Sequence, residues 1–334
     1  MTLWLRWSLV LVAVLLSPVV ARAETRVICA YDPGGRSGDY FAMLSKYATQ
    51  ASTWGVTVEI RPYTDEETAA KDYEAGHCDG VVATGVRLQR FNRFSSTMEA
   101  IGGLPDYASM KEMVTKTVTS PTAAALLTQD GNATVGFIPV GTVYLLVRDR
   151  SVDSVPELAG KRIAAMDYDK ASRFMVDRVG AIMVPSDLGS IGPKFNNGDV
   201  DACYVSAPAY RPFELHRGIG TKGGVIRAPI AQATLQVMIR EGRFPAGFAQ
   251  KSRAELVGRF DAALAFVKQA EAEIPPAAWI DVPAATLAEW DALFQSVRVQ
   301  LRDQGAYDGR LLKVMRQVRC GRNPSRAECA ENKE

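Results

Sequence analysis

Histidine is nearly absent. The 334-residue chain has two, His77 and His216, far apart and on different predicted elements. Neither they nor the five cysteines and the carboxylates fall at zinc-ligand spacing, so no metal site is expected. The nucleotide signatures are missing as well. The segment DPGGRSGDY (32–40) has neither the G-x-x-x-x-G-K-[ST] of a phosphate loop nor a G-x-G-x-x-G fingerprint, because Gly34, Gly35 and Gly38 are wrongly spaced. No G-x-S-x-G elbow supplies a hydrolytic serine. Low-complexity segments and internal long apolar runs are absent too. Together these gaps leave no expected catalytic residue and no expected cofactor.

One apolar run does occur, at the start. Arg6, the apolar residues 7–16 and Ala21-Arg22-Ala23 have the order of a secretory signal, with cleavage expected after Ala23. The run is too short to cross a bilayer comfortably. The first 23 residues hold two of the 39 basic residues, Arg6 and Arg22, and none of the 37 acids, so the remainder carries 37 of each. A net charge of zero argues against nucleic acid or an anionic membrane surface as partner. About 300 residues is enough for two lobes.

Export implies an oxidising compartment and paired cysteines. Cys320 and Cys329 flank the turn-rich GRNPSRAE and are expected to bridge. Cys29 and Cys78 lie on two predicted strands and are either a second disulfide or two buried thiols. Cys203, in an apolar strand, reads as an inert buried thiol.

From residue 25 strands and helices alternate. RVICAY (26–31), VTVEIRPY (56–63) and CDGVVATG (78–85) are predicted strands, with helices at 38–53 and 65–75 between them. Buried strands interleaved with helices imply parallel sheets covered on both faces. The stretch 86–128 reads as helical with breaks, and 135–150 as strands passing between lobes. The pattern then restarts with KRIAAMDYD (161–169), AIMVP (181–185) and DVDACYVSAP (199–208). AGHCDGVVATG (75–85) matches NGDVDACYVSA (197–207), pairing Gly76 with Gly198, Asp79 with Asp201 and Thr84 with Ser206. LQVMIR (235–240) leads back to the first lobe. The amphipathic 286–305 is expected to pack into a core through Trp290, Phe294 and Leu301.

Open parallel sheets bind ligands at the carboxyl ends of their strands. Lobe one would present Asp32, Gly34, Gly35, Arg36, Ser37, Thr84, Gly85 and Arg87 there; lobe two, Asp167, Tyr168, Asp169, Ser206 and Tyr210. The glycines would let backbone approach a ligand, and Arg36 and Ser37 would donate to a polar or anionic group.

The stretch LAGKRIAAMDYDKASRFMVDRVGAIMVP and the later FNNGDVDACYVSAPAY resemble the second lobe of TRAP-type extracytoplasmic binding proteins. There L-x-G-x-K-I opens a strand and x-x-G-x-V-D precedes the return strand. C-x-x-D-P-x-G-x-S-G, the LDYD-like segment, KFNNG and VRC…PSRAEC resemble a related bacterial group of solute-binding proteins over nearly the whole exported chain. The resemblance implies an α/β, type II-like periplasmic-binding-protein fold of two lobes, with two parallel or mixed sheets, flanking helices and a helical C-terminal section. Lobe 1 is expected over 24–138 with 232–334, and lobe 2 over 139–231. The implied function is capture of a small ligand between the lobes and delivery to an inner-membrane transporter, by a periplasmic monomer. An export or efflux adaptor binding a lipid or apolar ligand, or an enzyme on the same scaffold, is the alternative; an apolar cleft is the sign attached to the adaptor. In the TRAP-type pattern an arginine on the first strand of lobe two grips a carboxylate. The aligned position here is Ala164, which puts a carboxylate held in the usual way in doubt.

Overall fold

The computed structural model describes residues 24–334. The expected signal segment lies outside them. Among the described residues no helix is long and apolar enough to cross a membrane.

The first half is a βα run: β1 (Glu24–Tyr31), α1 (Asp39–Ser52), β2 (Val56–Tyr63), α2 (Glu66–Glu74) and β3 (Gly80–Thr84). Short helices α3 (Gly85–Leu88) and α4 (Arg93–Ser96), then α5 (Tyr107–Thr119) and α6 (Pro121–Leu126), lead to the two-residue β4 (Thr128–Gln129) and the long β5 (Asn132–Val147). The run then repeats as β6 (Arg162–Met166), α7 (Lys170–Arg178), β7 (Ile182–Ser186), α8 (Ile191–Asn197) and β8 (Ala202–Ser206). After α9 (His216–Ile219) and β9 (Gly224–Ile226), β10 (Ala231–Arg240) returns. A helical section closes the chain: α10 (Phe248–Gly258), α11 (Phe260–Ala272), β11 (Trp279–Ile280), α12 (Ala284–Asp303) and α13 (Gly309–Arg322).

The strand order is β2-β1-β3-β10-β5-β8-β6-β7. The outer triplets β2-β1-β3 and β7-β6-β8 are each parallel. They are joined through antiparallel β10 and β5, so the two expected sheets are continuous halves of one. β5 is a single 16-residue strand through both halves. Its pairing with β10 shifts register beside Pro139 and Gly141, where proline cannot donate to the ladder and Gly141 takes φ +120°.

The internal repeat is physical. Asp79 accepts from the backbone N–H of Val27 at 2.9 Å, and Asp201 from that of Arg162 at 2.8 Å. Each thereby ties the turn before the return strand to the start of the first strand. Gly76 and Gly198 take φ +82° and +85° at the matching helix ends. Both disulfides are formed: Cys29 to Cys78 across Cα atoms 5.9 Å apart, and Cys320 to Cys329 across 5.6 Å. Cys203 is buried and free, and burial pushes its thiol pKa up.

α12 packs against α7 and is pinned on its other side by Arg298. That buried guanidinium donates to the Ile101 carbonyl at 3.0 Å, to Glu328 at 2.7 Å and to Glu334 at 2.6 Å. Arg319 shares both carboxylates, at 2.8 and 2.6 Å. Buried charges of this kind persist only when paired.

Candidate functional site: a cavity between the lobes

The glycine loop after β1 does hold an anion, and the anion is the protein's own. Asp32 is buried. It accepts from the backbone N–H of Gly34 at 2.7 Å and of Phe41, in the first turn of α1, at 2.8 Å. The wrap is tight: a Cβ on Gly38 would lie 1.9 Å from the Asp32 carboxylate. The free amides of a helix start attract negative charge, and here Asp32 takes that place.

The same device recurs at the other strand ends. Asp169 caps α7, accepting from the N–H groups of Ala171 and Ser172, both at 2.9 Å. After β3, the N–H of Thr84 donates to Glu66 at 2.6 Å, and those of Gly85 and Val86 donate to Glu99 at 2.9 and 3.1 Å. Glu99 also accepts from the N–H and hydroxyl of Thr234, at 2.9 and 2.6 Å. Burial pushes Glu99 up to about 7, against these bonds. Burial likewise raises Asp169 and Glu66. Gly85 is required by this crowding: its Cβ would lie 2.3 Å from Gln236 and 2.8 Å from Glu99.

Between these strand ends lies a cavity of about 530 Å³, within the ~300–1,000 Å³ usual for ligand sites. Of the expected residues, Asp32, Gly34, Ser37, Thr84, Asp169 and Ser206 line it. Gly35 sits in the one-turn helix Gly35–Ser37 with φ +56°, and Arg36 beside it is exposed. Asp167 is exposed, with its carbonyl accepting from Arg173 at 2.6 Å. Tyr210 packs into the cluster of Leu215 and Ile219, away from the cavity. Gly85 serves Glu99 through its backbone, as above.

Arg87 and Tyr168 form a contact across the cleft. The Arg87 guanidinium lies 3.3 Å from the centre of the Tyr168 ring. Arg87 also pairs with Glu66 at 3.6 Å, and the Tyr168 hydroxyl donates to Glu66 at 3.3 Å. Burial and the neighbouring Glu66 keep the phenol far above its ordinary pKa, so it remains a donor. Residues of α2 and α3 thus grip a ring just after β6.

Glu99, Tyr204, Trp290 and Tyr307, none of them expected at the site, also line the cavity. Trp290, expected as plain core, is buried in α12 and also closes the cavity. On β6 the wall side chains are Ile163 and Met166. Ala164 packs instead with Ile191, Phe195 and Cys203. Arg162 is held at the start of the strand by Asp201, at 2.9 Å. Among the described residues no cluster of three or more His, Cys, Asp or Glu stands ready for a metal.

The family model described as "Solute-binding protein AdeT 1/2" matches residues 40–334. The chain belongs to that family. It is 36% identical over 306 residues to the probable solute-binding protein AdeT1 of Acinetobacter baumannii, covering 91% of this chain and all of that one. To AdeT2 of the same organism it is 27% identical over 231 residues, covering 69% and 96%. Solved structures share the fold. A TRAP periplasmic solute-binding protein of Desulfovibrio salexigens, with bound orotic acid, superposes with TM-score 0.68 at 17% identity over 88% of this chain and 98% of that one. One from Shewanella oneidensis, with bound succinate, gives 0.71 at 11% identity over 88% and 99%. The two-lobe α/β fold and the solute-binding function are therefore those of this chain. Its apolar walls then bear on which solute is bound, rather than favouring an adaptor.

Proposed function

We propose that the chain is exported with cleavage after Ala23, and that as a periplasmic monomer it captures a small solute in the interlobe cavity and presents it to an inner-membrane transporter. Lobe 1 comprises 24–138 with 232–334 and lobe 2 comprises 139–231. Binding, not turnover, is the activity, and nucleic acid is not a partner. Asp32, Gly34, Ser37, Thr84, Asp169 and Ser206 form polar wall, while Arg87 and Tyr168 hold the mouth. The observation that carries this reading is the cavity at the strand ends, together with the Arg87–Tyr168 contact that joins the end of β3 to the end of β6. Closure follows a ligand's differential affinity for the closed form. Native mass spectrometry of protein taken from its own periplasm, paired with small-angle scattering, tests it. A retained small molecule whose removal expands the protein is expected. A ligand-free protein that no periplasmic extract compacts refutes it.

A further inference from the structure

We propose that the cavity takes an uncharged or cationic molecule of mostly apolar surface and rejects organic acids. This rests on the solute-binding reading above and concerns the same site.

The first ground is charge. The charged residues on the walls are Asp32, Asp39, Glu99 and Asp169; among the described residues no lysine, arginine or histidine lines the cavity. Arg87, at the end of β3, lies off the wall and is engaged by Glu66 at 3.6 Å and by the Tyr168 ring.

The second ground is the backbone. A binding site without cationic side chains still holds an anion if helix starts offer free N–H groups. After β1, β3 and β6 those groups are taken. Gly34 and Phe41 donate to Asp32, Thr84 to Glu66, Gly85 and Val86 to Glu99, and Ala171 and Ser172 to Asp169. At these three strand ends the N–H groups that a ligand carboxylate would seek are filled by carboxylates of the chain. A second anion would enter a cavity already lined by acids, with no cationic side chain on its wall, and an unpaired buried charge is strongly disfavoured.

The third ground is the remaining surface. Ile163, Met166, Val179 and Leu235 present apolar wall, and Tyr204 and Trp290 add aromatic faces. Such walls suit an apolar body, and aromatic faces tolerate a cation.

The test uses two probes with the same aromatic body, N-phenyl-1-naphthylamine, which is uncharged, and 1-anilinonaphthalene-8-sulfonate, which is anionic. The full exported chain should bind the neutral probe at least about tenfold more tightly, a difference of ~1.4 kcal/mol. Met166→Trp and Ser206→Trp, filling the cavity from the ends of β6 and β8, should each abolish that binding while circular dichroism stays native. Met166→Arg, which supplies a wall cation, should narrow the gap between the probes. Succinate, malonate and orotate should give no thermal shift. An acid or the anionic probe bound as tightly as the neutral one, and displaced by the tryptophan variants, overturns the inference and leaves solute binding standing. Neutral-probe binding unchanged in both tryptophan variants overturns the inference, since the probe then sits elsewhere. Failure of both probes, with no small molecule retained from the periplasm, overturns the inference and the solute-binding reading together.

Discussion

Removing the Tyr168 side chain should open the protein. Two interactions cross the cleft at this ring: a hydrogen bond to Glu66 at 3.3 Å and the Arg87 guanidinium 3.3 Å from the ring centre. Arg87 and Glu66 are 10% and 2% exposed at this contact, so neither is heavily screened. A desolvated cation–aromatic contact contributes about 2 kcal/mol, and a hydrogen bond about 0.5–1.5 kcal/mol. In the open form water replaces part of both, which leaves about 2 kcal/mol of bias toward closure, or roughly thirtyfold in the closed-to-open ratio. Tyr168→Ala should therefore enlarge the radius of gyration of the ligand-free protein, measured by small-angle scattering. It should also weaken binding of the neutral naphthylamine by up to that factor. Tyr168→Phe keeps the ring over Arg87 and should lose only about fivefold, the equivalent of about 1 kcal/mol. Arg36→Ala is the control, because Arg36 is exposed and off the cavity wall; it should change neither quantity. If Tyr168→Ala scatters and binds like the wild type, the contact does not hold the lobes together and the reasoning fails.

Gly38→Ala should cost roughly 1–3 kcal/mol by overpacking, since its Cβ would lie 1.9 Å from the Asp32 carboxylate; a wild-type melting temperature would show that the loop wraps less tightly. Glu328 is held at about 2: burial would raise it, but Arg319 and Arg298 more than offset that. Its stabilisation is therefore present above about pH 4.5 and lost as the pH falls toward 2. Glu328→Gln should cost about 3–5 kcal/mol near neutrality, and its melting temperature should converge on the wild type's in acid; parallel curves would contradict the assignment. Glu99 runs the other way. With its carboxyl raised to about 7 by burial, the folded state binds the extra proton, so stability falls as the pH rises from about 4.5 through 7. Glu99→Gln should flatten that part of the melting-temperature profile, and an unchanged slope would mean that Glu99 does not titrate there.

The elements legible in the sequence were those with local signals. Strand and helix alternation gave both βα runs, because apolar strands between helices admit few architectures. The repeat was readable because Asp79 and Asp201 do the same local work, bonding back to the first strand of their own run. Asp167 and Asp169 were both expected to face a ligand; Asp169 instead caps α7 through the amides of Ala171 and Ser172, and Asp167 is exposed. The loop 32–38 was read as one wall of the cleft, offering its backbone, Arg36 and Ser37 to a ligand. Asp32 was read as a residue offered to a ligand, whereas its two oxygens are committed to Gly34 and Phe41. Glu99 was invisible because nothing local marks it: its partners Gly85 and Thr234 are 14 and 135 residues away. Trp290 fits a helical apolar stripe, and periodicity cannot tell a stripe facing solid core from one facing a void.

The two strands that join the halves of the sheet have a mechanical consequence. β5 and β10 are hydrogen-bonded to each other from Asn132 to Val143 and from Ala231 to Arg240, so they bend as one ribbon rather than as two independent tethers. Sliding one lobe past the other would break ladder bonds along the whole pair; flexing the ribbon at the register shift beside Gly141 breaks almost none. Rocking about the register shifts of this pair is thus favoured over sliding. The Arg87–Tyr168 contact, which joins the end of β3 to the end of β6, would have to part for that rocking to open the cleft.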